Sequence, residues 1–224
     1  MKYILSILLV NISIVLFGQN RHLTIGVNNS GICFGNSIAN NGLRINLVDK
    51  NVETVNGIDF SVISKEKHTN GIKLTLYSES KTTNGLGVSI WALGDEFING
   101  IGVGVGVGAI KINGIGIGLI GCVPDTINGV LFGGLIGANT WSAEPITQIN
   151  GISISFATNF CKELNGVAIG MNNGNDIQKG VTIGMLNKTE ELYGIQIGLW
   201  NVAKNKKRFK RMPFINMNFK NARR

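Results

Sequence analysis

From Gly42 onward the chain alternates apolar residues with polar or small ones at a period of two, and a glycine restarts the pattern every 14 or 15 residues. In each unit the first, third and fifth residues after that glycine are aliphatic or aromatic, as in Ile58, Phe60 and Val62, or Ile195, Ile197 and Leu199. The second and fourth are polar or small, as in Asp59 and Ser61, Lys73 and Thr75, or Gln196 and Gly198. Sustained alternation predicts half-buried β-strands, and no helical periodicity competes with it beyond the first residues. The restarting glycines are Gly42, Gly57, Gly71, Gly85, Gly100, Gly114, Gly129, Gly151, Gly166, Gly180 and Gly194. Nine of these eleven follow an asparagine, with Lys179 and Tyr193 the exceptions. One interval, from Gly129 to Gly151, is longer at 22 residues and marks an insertion around 140–147, TWSAEPIT. Such a period is the mark of a repeat architecture, and asparagine and glycine suit its corners because both tolerate positive φ.

The expected fold is all-β, in one of two forms. In a β-solenoid of about eleven 14–15-residue units, each unit is one coil and the strands stack in parallel. Asn173, Asn187 and Asn201 each lie seven residues after their glycine, so stacked coils would align them into a ladder of amides. In an up-and-down outer-membrane barrel each unit is one strand, with aliphatics towards lipid and small or polar residues inside. The alternating end Ile215, Met217, Phe219 suits a barrel's last strand. The links, however, are uniformly short, and about three outward aliphatics per unit fall below the roughly 9–11 residues of a spanning strand. The solenoid is the better fit.

Composition adds location. Residues 1–18 carry one lysine and an apolar run from Tyr3 to Phe17, which predicts a secretory signal peptide ending near Gly18. The run is shorter than the roughly 20 apolar residues of a membrane anchor, and Asn11 interrupts it. Residues 19–41 read as an N-terminal cap or degenerate repeats, 42–203 as the tandem repeats and 204–224 as a basic closing strand and tail. Of the formal net charge of +8, nine basic residues after Asn201, with no acidic ones, leave the remainder at −1. A neutral body with a basic end gives no reason to expect a nucleic-acid partner; contact with an anionic lipid or polysaccharide of the envelope is the functional reading. Lys207, Arg208 and Arg211 are its candidate contact residues.

The units GVTIGMLNKTEELYG and GIQIGLWNVAKN, followed by MPFINMNF, resemble a family of bacterial surface-repeat proteins with tandem GxQIGLxN-like units. The likeness is strongest from Asn165 to Phe219 and thins towards GLRINLV and GIDFSVI at the N-terminal end. The resemblance implies export to the envelope or surface of a Gram-negative bacterium. It carries no catalytic residues.

The remaining motifs point away from catalysis. Gly116 to Gly121 matches GxGxxG, but a dinucleotide site needs a following helix, and here the glycines are the repeat's own small positions. His22 and His68 lack metal-ligand spacing, and Cys33, Cys122 and Cys161 are widely separated and read as buried small hydrophobes. The pairs Asp95–Glu96 and Glu190–Glu191 fall in links. No catalytic, cofactor or metal residue is assigned, and a non-enzymatic structural, adhesive or interaction role is expected. Trp91, Trp141 and Trp200 are candidates for stacking on sugars or anchoring at a membrane interface. Trp141 stands out because it lies in the insertion.

Overall fold

In the computed structural model residues 22–137 and 147–219 are described. The expected signal peptide, most of the insertion with Trp141, and the basic residues after Phe219 lie outside them. The described chain is all-β: β1 (His22–Val27), β2 (Ser30–Gly35), β3 (Ala39–Val48), β4 (Thr54–Ser64), β5 (His68–Ser78), β6 (Thr82–Gly94), β7 (Phe97–Ile136), β8 (Gln148–Ile169), β9 (Asn172–Ile183), β10 (Leu186–Ala203) and β11 (Arg211–Asn218). The long β7 contains the boundary between two compact units, Met1–Gly104 and Val105–Arg224.

Within each unit strand order follows chain order and the repeats pair in parallel and in register. Gly42 faces Gly57, Gly57 faces Gly71 and Gly71 faces Gly85 in the first unit. Gly129 faces Gly151, Gly166 faces Gly180 and Gly180 faces Gly194 in the second. A residue that pairs in parallel with its own equivalent one repeat later has travelled one full coil, so the fold is a β-solenoid of about eleven turns. An up-and-down barrel would require antiparallel neighbours.

Two columns of residues fix this register. The first is the glycine that restarts each unit. Gly166 has φ +145°, and a Cβ there would lie 2.0 Å from the carbonyl oxygen of Gly151, so the stack admits no side chain at this point. The second is the preceding asparagine. In the first unit Asn56, Asn70, Asn84 and Asn99 each donate a side-chain N–H to the asparagine one coil earlier, at 2.7–2.8 Å. Asn128, Asn150 and Asn165 repeat this in the second unit at 2.9–3.0 Å. Lys179 interrupts the ladder and pairs instead with Glu163 at 2.6 Å.

The ends of the described chain are antiparallel. β1 folds back on β2 through Asn28 and Asn29, both at positive φ. β11 runs antiparallel to β10 with Ile197 opposite Ile215, and so covers the last strand edge, which would otherwise offer unpaired N–H and C=O groups.

Candidate functional site

The orientation of the alternation sets the chemistry of the surface. In both units the aliphatics one, three and five residues after each restarting glycine point outward and the residues between them point in, while the residue two places before that glycine, such as Val55, Ile98, Ile127 or Leu164, is buried. Asp59, Lys73, Thr182 and Gln196 are fully buried, while their neighbours Phe60, Ile72, Ile183 and Ile197 are about two-fifths exposed. Each unit thereby presents rows of aliphatic side chains to its exterior. In the first unit a shallow apolar groove of about 600 Å³ runs over Leu47, Phe60, Val62, Leu74 and Leu76 to Ile90. The second unit has one of about 740 Å³ over Phe156, Met171, Ile183, Met185 and Leu199, continued onto β11 by Phe214 and Ile215.

The second groove explains the GxQIGLxN pattern residue by residue. In Gly194–Asn201 the first glycine belongs to the packed column, where a Cβ would lie 2.0 Å from the Gly180 oxygen. Gln196 points inward and donates to the Gln178 side chain at 3.2 Å, while Gln178 donates to the Ile195 carbonyl at 2.9 Å. The second glycine, Gly198, leaves the space that the Asn187 amide fills: a Cβ there would stand 2.6 Å from Asn187 Nδ2. Asn187 then donates to the Ile197 carbonyl at 2.9 Å and to the Asn201 side chain at 2.7 Å. Asn159 and Asn173 bond to the next asparagine in the same way, at 2.8 and 2.7 Å, which gives the expected amide ladder. With the inward positions taken by amides and the glycines by close backbone, Ile195, Ile197 and Leu199 have only the outside to face.

The interior of the first unit is charged. Arg44 donates to Asp59 and to Asp49, both at 2.8 Å, and all three side chains are fully buried. Lys73 reaches Asp95 at 2.7 Å and Glu66 at 3.4 Å. Glu66 accepts from Ser64 and Thr69. Burial pushes the Asp49 carboxyl up to about 7 against the pull of Arg44, and the neighbouring Glu66 carboxylate adds to the rise. Burial also opposes the charge on Glu66, but Lys73 and the hydrogen bonds from Asp49, Ser64 and Thr69 outweigh it and hold Glu66 well below the usual carboxylate range. Burial raises Asp59 as well, more than Arg44 lowers it. For Arg44 the ion pairs with Asp59 and Asp49 exceed the desolvation that would lower it, so its pKa rises. Asp49, Asp59 and Glu66 bring carboxylate oxygens within 4.8 Å of one another, as metal ligands would. The Arg44 guanidinium bridging two of them supplies the balancing cation.

The residues singled out from the sequence fall in three places. The repeat glycines form the column described above. Trp200 is about half exposed at the edge of the second groove beside Leu199, and Trp91 is exposed beside Ile90 at the edge of the first. Lys207, Arg208 and Arg211 are exposed in and beside the connection between β10 and β11. Cys33, Cys122 and Cys161 are free and buried, as expected. Asp95, in contrast, is no surface link residue, and neither is Glu66 in the link SKEKHT: both point inward, two residues after the buried Leu93 and Ser64, and each meets Lys73. Comparison with family models, with curated proteins and with solved structures gives no match to this chain.

Proposed function

We propose that this chain is an exported, non-enzymatic repeat protein of the bacterial envelope whose outward aliphatic faces are its contact surface. The observation that carries the reading is the inverted alternation: the fold spends its polar groups on internal ladders and leaves continuous aliphatic rows outside. Contiguous exposed apolar surface of this kind marks interaction sites in soluble domains. The apolar leader expected in residues 1–18 and the resemblance of the GxQIGLxN units to surface-repeat proteins support export. The buried carboxylates support a structural role, since each is tied to a buried cation or hydroxyl and none lines either groove.

Fractionation of cells expressing the native gene tests the proposal. The expected outcome is a chain shortened by about the leader's length, found in the envelope fraction and released from it by alkaline carbonate with urea. A full-length chain in the cytosol would contradict it.

A further inference from the structure

The second unit carries a feature the first lacks. Its outward rows Val181–Ile183–Met185 and Ile195–Ile197–Leu199 end at Trp200, and the chain then turns through 203–210 before β11 returns beside the same strand. This turn reads AKNKKRFK. Lys204 is paired with Glu190 at 2.6 Å, and Lys206 donates to Asn216 at 2.6 Å. Lys207, Arg208, Lys210 and Arg211 are exposed, and none forms an ion pair among the described residues. Between them Phe209 is 71% exposed at φ +54°, and Phe214, on the groove, is 70% exposed at φ +65°. Bulky residues seldom adopt positive φ, and both rings are left largely open to solvent, that of Phe214 beside Ile215 on the groove wall.

We infer that the second unit docks on an anionic lipid bilayer, its aliphatic face and the rings of Trp200, Phe209 and Phe214 entering the interface and its basic turn holding the headgroups. The inference rests on the proposed envelope role and names the partner of that surface. Charge complementarity selects lipid over a second copy: among the described residues the groove lining has no acidic group for the turn of another molecule to meet, whereas an anionic leaflet offers both apolar depth and negative charge. Stable surface attachment generally takes two signals of this kind, an apolar insertion and a polybasic patch. In the first unit two of the exposed lysines, Lys65 and Lys67, pair with Glu79 and Glu53, and the other two, Lys50 and Lys81, stand apart in separate links rather than in one basic turn.

Flotation of the purified mature protein with vesicles tests this, one set of phosphatidylcholine alone and one with phosphatidylglycerol added. Binding is expected to the anionic vesicles and to weaken with salt. The double variant Lys207→Glu, Arg208→Glu should lose at least about tenfold in vesicle affinity, and Phe209→Ser should weaken binding without altering salt dependence. Both changes lie in an exposed turn, so an unchanged circular dichroism spectrum and melting curve will show that the fold is retained. Leu76→Asp, on the first unit's face, should leave binding unchanged. Absence of flotation with either vesicle overturns the inference, as does equal binding to neutral and anionic vesicles. So does a discrete oligomer in light scattering that Met185→Asp dissolves while vesicles remain unbound. Any of these alongside an envelope location leaves the broader proposal standing, whereas a cytosolic, unprocessed chain would remove that proposal independently of the vesicle result.

Discussion

The two units share one coil design, but only the first adds buried charges to its filling of aliphatic and uncharged polar side chains. The interior of Met1–Gly104 is organised around Arg44, Lys73 and four carboxyl groups, Asp49, Asp59, Glu66 and Asp95, with serine and threonine hydroxyls between them. The interior of Val105–Arg224 is built on Ile112, Ile127, Leu131, Ile149, Leu164 and Leu192, with uncharged Asn and Gln amides and Ser and Thr hydroxyls where polar groups occur. The difference shows that register in this fold is set by the glycine and asparagine columns, which both units have, and leaves the filling free to vary. A charged filling depends on every partner being present, because removing one strands the others in a low dielectric. An aliphatic filling degrades in proportion to the volume removed.

The comparison can be broken most directly by truncating one member of each interior. Arg44→Ala leaves Asp49 and Asp59 without their cation and should destabilise the first unit by about 3–5 kcal/mol. Leu164→Ala should cost the second unit about 2–5 kcal/mol through its cavity. Amide exchange measured strand by strand should place the first loss in β3–β6 and the second in β8–β10. An Arg44→Ala protein with unchanged exchange in β3–β6 would mean the charged interior is incidental.

Substitution in the shared column should be severe wherever it is made. Gly166→Val combines a forbidden φ with a Cβ 2.0 Å from the Gly151 oxygen, and a loss of at least about 3 kcal/mol is expected in chemical denaturation. Gly106, in the glycine-rich tract of β7, has no positive φ, and no heavy atom comes within 4 Å of the place a Cβ would take. Gly106→Ala should therefore stay within about 0.5 kcal/mol of the parent. Comparable losses for both would deny that the restarting glycines are special.

Acidity should separate the units as well. Asp49 holds its proton in the folded chain up to about 7, whereas in the unfolded chain it releases it near pH 4. The folded state binds the extra proton across that window, so the first unit loses stability as pH rises from about 4 to 7, by at most about 1.4 kcal/mol per pH unit, and levels off above. Glu66 acts in the opposite sense: its contribution is present above its unfolded value near 4.5 and is lost as pH falls. Asp49→Asn should flatten the decline between pH 5 and 7, about the range set by these two groups. The second unit's exchange should barely change there. Equal pH sensitivity in both units would contradict the assignment to Asp49.

A smaller effect is expected from the second ladder. Asn187→Ala leaves the Ile197 carbonyl and the Asn201 amide short of a partner, and about 1–3 kcal/mol should be lost from β9 and β10.

Much of this was legible in the sequence. The interval between glycines gave the coil length, and the seven-residue offset of Asn173, Asn187 and Asn201 located their ladder, whereas the asparagines of the Asn–Gly pairs read as positive-φ corners and turn out instead to form a second ladder without positive φ. The direction of the alternation was not legible, because a period of two separates two faces without saying which is inside. A run such as Ile-Lys-Leu-Thr-Leu invites the assumption that the aliphatics are buried, and only the pairing of Lys73 with Asp95, 22 residues away, reveals that the lysine is. Glu66 and Asp95 were hidden for the same reason. They sit in polar stretches that read as solvated links, and their partners come from other coils. The groove on the second unit was equally invisible, since it forms only when equivalent residues of successive coils are stacked.

The aliphatics that follow each restarting glycine face out and the residues alternating with them face in, and cysteine accessibility tests this at adjacent positions. The three native cysteines are buried and provide a slow background. Ile183 is 39% exposed and Thr182 is fully buried. With a water-soluble maleimide on the purified protein, Ile183→Cys should label at least about tenfold faster than Thr182→Cys, as expected of a thiol open to solvent against one shielded from it. Faster labelling of Thr182→Cys would place the aliphatics inside and remove the proposed contact surface.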